Sequence, residues 1–206
     1  MSGDDPSGAD DQQERPGIEQ WIVGFVDGEG CFSCPIHRNP ATRIGWQLQP
    51  RFSVVQSARS IRALECIQRY FGCGKVYRNH RHDNHREDLC TYTVFNRAEL
   101  RDRIVPFFEQ NPLITAKNED FCRFRQILGL MNEGAHLTIE GMARIARITE
   151  RMNRRQPSRF LESSEAIRQP ALLDGRGEDM VLASWRHGER LERNSLSGKF
   201  RPARMA

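Results

Sequence analysis

Residues 21–32 read Trp21-Ile22-Val23-Gly24-Phe25-Val26-Asp27-Gly28-Glu29-Gly30-Cys31-Phe32. The stretch reads as the end of a helix running straight into a strand, with an acid at the junction. Ile18, Ile22 and Phe25 recur at helical spacing and predict one apolar face. Gly17, Trp21, Gly24 and Gly28 fall on a second face, with Gly24 and Gly28 one turn apart. A glycine inside a helix costs about 1 kcal/mol relative to alanine. Two on one face call for a reason, and close approach of another backbone supplies it. Gly28 and Gly30 then end the helix, leaving Glu29 at its C terminus. The helix dipole is already negative there, so a carboxylate at that point calls for a cation.

Residues 22–30 resemble the motif that names the LAGLIDADG homing endonucleases, in the variant ending Asp-Gly-Glu-Gly. Val23 replaces the motif's small Ala, and the terminal acid is Glu instead of Asp. The resemblance implies that Glu29, with Gly28, forms the metal site. It also implies that Trp21, Gly24 and Gly28 pack two motif helices together. No second motif follows. Residues 172–177 carry a faint likeness, but Pro170 leaves no room for a helix before them. One motif per chain implies a homodimer.

Formal net charge is +4 over 206 residues. Residues 1–20 hold six acids and one base, a charge of −5, which leaves +9 on the rest. A basic body points to a polyanionic partner, nucleic acid before membrane. No apolar run has the length of a membrane span. The acidic, polar N-terminal stretch resembles neither a signal peptide nor an Arg-rich transit peptide. Six cysteines without a signal peptide predict reduced thiols in an intracellular, reducing compartment and a protein that is not secreted.

Along the chain, residues 1–16 are Ser-, Gly-, Asp- and Gln-rich and predict a disordered acidic arm. The motif helix occupies 17–28. Residues 31–39 predict a strand ending at an Asn39-Pro40 turn. Residues 46–56 alternate, with Leu48, Phe52 and Val54 inward and Gln47, Gln49, Arg51 and Ser53 outward. A helix over 57–71 closes at Gly72 and Gly74. Residues 75–81 and 89–95 predict a strand pair. Lys75, Tyr77 and Asn79 share one face of its first strand, and Thr91 and Thr93 one face of its second. Asn96 caps a helix through Leu100, Ile104 and Phe107, whose end Pro106 disturbs. Phe121, Phe124, Leu128 and Met131 mark another helix. A last one, capped by Thr138, carries Met142, Ile145, Ile148 and Met152. The order predicts an α+β fold with a four-stranded antiparallel sheet covered on one face. The same order is what the resemblance implies, and it covers residues 17–153. Residues 154–206 predict a basic extension, partly disordered, whose Arg154, Arg155 and Arg159 can touch phosphates.

The predicted outward face carries amide and guanidinium groups, which pair bidentately with adenine and guanine edges in a major groove. The expected DNA contacts are Ser33, His37, Arg38, Gln47, Gln49, Arg51, Ser53, Lys75, Tyr77, Asn79, Arg81, Thr91 and Thr93. Two copies of Glu29 beside a two-fold axis would repel unless a divalent cation lay between them. Oxygen ligands without His or Cys select Mg²⁺. The resemblance implies that Lys117 reaches the active site at the end of the 112–117 stretch and that Gln56 positions water. The family's basic residue after the second strand matches Ser60, and Arg59 beside it is the substitute candidate. Cys31-x2-Cys34, His37, His80, His82 and His85 have the side chains of a zinc site. Cys31 and Cys34 fall on opposite faces of a strand, however, and no second CxxC exists.

The resemblance implies a homing endonuclease encoded in an intron or other mobile element. Such an enzyme makes a metal-dependent, staggered double-strand break across the minor groove of a long pseudo-palindromic DNA site. It leaves two alternatives on the same fold, a maturase that binds its host intron RNA and a regulator that binds DNA without cutting. A dimerisation module unconnected with nucleic acid would leave the polar sheet face and the basic body unexplained.

Overall fold

The computed structural model describes residues 17–79, 88–153, 155–163, 191–193 and 200–202. The motif helix α1 (Ile18–Glu29) leads without a loop into strand β1 (Gly30–Ser33). Strands β2 (Ile36–Arg38), β3 (Trp46–Leu48) and β4 (Arg51–Ser57) follow. A 3-10 turn (Ala58–Ser60) enters helix α2 (Ile61–Phe71), after which come β5 (Lys75–Asn79) and β6 (Leu89–Val94). The main sheet is antiparallel in the order β1-β4-β6-β5, the predicted four-stranded α+β arrangement.

The expected strands over 31–39 and 46–56 are each broken in two. Proline cannot donate to a ladder, and Pro35 and Pro50 sit on facing strands. Ser33 pairs with Arg51 before the break and Ile36 with Leu48 after it, so the register passes through without a slip. The distal β2–β3 hairpin turns at Asn39–Gly45, where the Asn39 amide donates to the Gly45 carbonyl at 2.9 Å. Gly45 has φ +73, which a glycine adopts without strain.

Helices cover one face of the sheet. α3 (Arg97–Glu99), a π-helical turn (Leu100–Ile104) and α4 (Val105–Gln110) run together. Asn96 caps this run, accepting from the amides of Ala98 and Glu99. Pro106 lies inside this continuous run, where it removes an N–H from the helical ladder, and the π-helical turn stands directly before it. α5 (Lys117–Asn132) and α6 (Ile139–Glu150) complete the layer, and Thr138 caps α6 through the Gly141 amide. The core centres on Phe32. Its ring stacks on Phe52 at 5.0 Å, meets Phe108 edge-on at 5.4 Å, and touches Phe121 and Phe124. Phe160 is also fully buried, edge-on to Trp46, so residues past 153 enter the core, beyond the boundary the sequence suggests. The short strands β7 (Leu191–Arg193) and β8 (Phe200–Pro202) pair with each other. The arm over 1–16 and most of the basic extension lie outside the described residues.

The buried stripe of α1 differs from the expected one. Ile22 and Val26 are fully buried, whereas Ile18 is 39% exposed and Phe25 is only half-buried against Trp21, 5.1 Å between ring centroids. Ile22 and Val26, four apart, face the chain's own sheet. Trp21 and Phe25, half-buried, flank Gly24 and Gly28, which are exposed among the described residues. A Cβ at either glycine would meet no atom within 4 Å.

Candidate active site and DNA-facing sheet

The C terminus of α1 gathers the charged groups. Glu29 is its last residue, exposed, and makes no hydrogen bond or ion pair among the described residues. Beside it, the Lys117 ammonium donates to the carbonyls of Val26 at 2.8 Å and Gly28 at 3.3 Å. The Val26 carbonyl also accepts from the Gly30 amide; a helix end leaves its last carbonyls short of donors, and a cation there also suits the dipole. Burial pushes the Lys117 ammonium below its usual range, against the opposing charges of Cys31, Asp27, Glu29 and Asp120.

Lys117 is held there by Asp27, whose role the sequence reading missed. The Asp27 carboxylate accepts from the Ile114 amide at 2.7 Å, the Thr115 amide at 3.3 Å and the Thr115 hydroxyl at 2.7 Å. The Thr115 hydroxyl oxygen in turn accepts from the Lys117 amide at 3.2 Å. The loop before α5 is thereby tied to the motif helix. Burial raises the Asp27 carboxyl, but the Thr115 hydroxyl, the two backbone amides and Lys117 together hold it below the usual carboxylate range. The available signal was that the motif carries two acids, only one of which sits at the junction.

Gln56 lies two residues past Val54, which pairs with Gly30, so the register sets it level with the end of α1. Its side-chain oxygen accepts from the Ser57 amide at 3.3 Å. Arg59 is exposed in the 3-10 turn that follows β4.

Across the sheet, the uncovered face carries Cys31, Ser53, Thr93 and Lys75 in one row and Val55, Thr91 and Tyr77 in the next. Ser33 and Arg51 pair further out, with the Arg51 Nε donating to the Ser33 hydroxyl at 3.0 Å. His37 and Gln47 pair in the distal hairpin, where Asn39 donates to the Gln47 side chain. Gln49 is exposed at the break, and Asn79 donates to the Thr91 hydroxyl at 3.4 Å. Two expected contacts need correction. Thr93 points outward but is only 5% exposed, hidden between its neighbours Ser53 and Lys75 on the flanking strands. Arg38 cannot share a face with His37, since adjacent strand residues point oppositely. It pairs with Trp46 and lies over that ring at 4.7 Å. Val55, 37% exposed in the middle of the polar face, was not anticipated. Arg81 and the histidines at 80, 82 and 85 lie outside the described residues.

Cys34 is fully covered and Cys31 half-buried, and burial pushes both thiols up. Among the described residues no three His, Cys, Asp or Glu side chains converge on a point that could hold a metal ion. No helix among the described residues is long and apolar enough to cross a membrane.

A motif helix feeding a four-stranded antiparallel sheet covered by helices on one face is the architecture of the LAGLIDADG class. The chain belongs to the LAGLIDADG endonuclease family, whose sequence profile matches residues 22–128, more than half of its length. It is 31% identical over 66% of its length to the probable intron-encoded endonuclease 3 of Neurospora crassa, and that match covers 25% of the fungal protein. It is 24% identical to DNA endonuclease I-CeuI of Chlamydomonas moewusii, over 71% of this chain and 67% of that one. The crystal structure of the homing endonuclease I-TnaI superposes with a TM-score of 0.61 at 38% identity, covering 77% of this chain and 97% of that one. Meganuclease I-SmaMI, solved bound to uncleaveable DNA, superposes with a TM-score of 0.63 at 30% identity, covering 69% of this chain but 47% of that one. The chain thus spans about a quarter of the length of the fungal relatives and about half of the I-SmaMI chain.

Proposed function

We propose that this chain is a site-specific homing endonuclease that works as a homodimer. One observation carries the reading: the Lys117 ammonium sits on the carbonyls of Val26 and Gly28 beside the exposed Glu29, next to a helix face left open at Gly24 and Gly28. A second copy packed on that face through Trp21, Gly24 and Gly28 brings two Glu29 side chains together across a two-fold axis. The symmetry then matches a long, nearly palindromic duplex, each sheet reading one half.

The donor set fits a hard divalent cation. It is all oxygen, exposed, and at the negative end of a helix. Glu29 would hold the ion, with the Gly28 carbonyl assisting and Mg²⁺ as the cellular choice. Such an ion, when bound, supplies charge neutralisation and a more acidic water for phosphodiester hydrolysis. Lys117 places a second positive charge where charge builds on the scissile phosphate. Gln56, level with the helix end, is placed to orient water, and Arg59 is the candidate second cation. Ser33, His37, Gln47, Gln49, Arg51, Ser53, Lys75, Tyr77, Asn79 and Thr91 form the DNA-facing surface. The products are a staggered double-strand break.

The test is a pair of incubations, wild type and Glu29→Gln, with duplex spanning the uninterrupted insertion locus and added Mg²⁺. One staggered break by the wild type, and binding without cutting by the variant, supports the proposal. Binding without cutting by the wild type would transfer the reading to a maturase or regulator, to be tested against the intron RNA.

A further inference from the structure

A cavity of about 400 Å³ opens beside the edge strand of the sheet. One wall is the strand pair itself, with Cys31, Ser33 and Arg51. The other is the segment that follows α6, with Asn153, Ser158 and Arg159. The second wall lies beyond the part of the chain that the family profile matches.

That wall is fixed at both ends. The Asn153 side chain donates to the Phe32 carbonyl at 2.9 Å, on the outer edge of β1. Its amide donates to the Asp120 carboxylate at 3.2 Å. Asn153 holds φ +48 to do so, a conformation that a non-glycine residue adopts at some cost. Seven residues on, Phe160 is fully buried against Trp46. Between them the Ser158 amide donates to Glu150 at 2.8 Å. The carboxylates nearest the cavity, Asp120 and Glu150, are therefore already engaged. Of the cations, Arg51 spends its Nε on Ser33, which orients the guanidinium and leaves its terminal nitrogens. Arg159 is exposed.

We infer that this cavity is a seat for a backbone phosphate of the bound duplex, gripped by Arg51 from the sheet and Arg159 from the C-terminal segment. A phosphodiester has two terminal oxygens and one charge, which two planar guanidinium groups match in geometry and overcompensate in charge. Arg51 is then a phosphate ligand and not the base reader that strand alternation suggests. Phosphate contacts set register without carrying sequence. The inference rests on the proposed DNA-binding function and adds a fixed anchor for the duplex at the edge of the sheet.

The experiment is the salt dependence of binding to two unrelated mixed-sequence duplexes, so the natural target is not needed. Each phosphate contact contributes about 0.9 to the slope of log K against log salt on B-form DNA. The double variant Arg51→Ala/Arg159→Ala reduces the slope by about that amount, and each single variant by part of it, equally on both duplexes. Arg51→Lys and Arg159→Lys, which keep the charge, retain the wild-type slope and separate lost charge from a damaged fold. An unchanged slope in the double variant overturns the inference. So does an Arg51→Ala variant that changes the preference between duplexes while keeping the slope. If the wild type binds neither duplex, the DNA-binding function itself fails and the phosphate seat goes with it.

Discussion

Replacing Asp27 by Ala isolates what holds Lys117 in place. The carboxylate accepts three hydrogen bonds from residues 114 and 115. Hydrogen bonds to a charged group contribute about 1.5–3 kcal/mol each when well buried. Asp27 is half-buried, and solvent screening reduces each to about 1 kcal/mol. The loop therefore loses about 2–3 kcal/mol of docking energy. At about 1.4 kcal/mol per tenfold, the fraction of molecules with Lys117 seated falls by up to about 30- to 150-fold. Single-turnover cleavage with saturating enzyme reads this directly. The rate constant should drop by one to two orders of magnitude while duplex affinity, measured separately in Ca²⁺, holds within about twofold. Thr115→Val removes one of the three bonds and should give a smaller drop. The decisive comparison is a double-mutant cycle. If Asp27 acts only through Lys117, Asp27→Ala adds nothing in a Lys117→Ala background. Multiplicative losses would refute the reasoning and give Asp27 an independent role.

Other outcomes follow from single features. A Cβ at Gly24 meets no atom within 4 Å in the monomer, so Gly24→Ala should fold with undiminished thermal stability but sediment as a monomer and lose cleavage. Phe32→Ala empties the centre of the aromatic cluster and should cost about 3–5 kcal/mol in denaturant unfolding. His136 is pushed below its usual range by burial and then by Arg97. A lowered folded-state value favours the neutral ring, so its contribution is complete above about pH 6.5, the unfolded value, and declines as pH falls. Between pH 7.5 and 5.5 the melting temperature should fall more for the wild type than for His136→Gln.

Alternation of buried and polar positions specified which strand residues face inward, because a strand offers only two directions. Phe52, Val54 and Leu48 are buried as expected, and both predicted side-chain caps, Asn96 and Thr138, form. The prolines at 35 and 50 were visible, but their pairing across two strands depends on register, which is a property of the folded ribbon. Arg38 was misassigned by charge alone, against the alternation that placed its neighbours. The stripe on α1 was ambiguous because its apolar residues, Ile18, Trp21, Ile22, Phe25 and Val26, fall on more than one face. The motif put Glu29 at the end of α1, and the likeness of the 112–117 stretch pointed to Lys117, whose ammonium lies on the carbonyls of that helix end. The role of Asp27 was not legible, because its partners lie 87 and 88 residues away and two of its three donors are backbone amides, which any residue carries.

The paired prolines have a consequence for how such a protein changes over generations. The β2–β3 tip keeps its register but is separated from the sheet whose inner face holds the aromatic core. His37 and Gln49 on that tip are exposed, and Gln47 contacts only its own hairpin neighbour Asn39. Substitutions there touch little of what keeps the chain folded, since surface changes away from such contacts usually shift stability by about 0.5 kcal/mol or less. Under the proposed function, the outer part of the DNA-facing surface is thus free to drift when the target sequence drifts, while the part nearest the C terminus of α1 stays bound to the demands of the core.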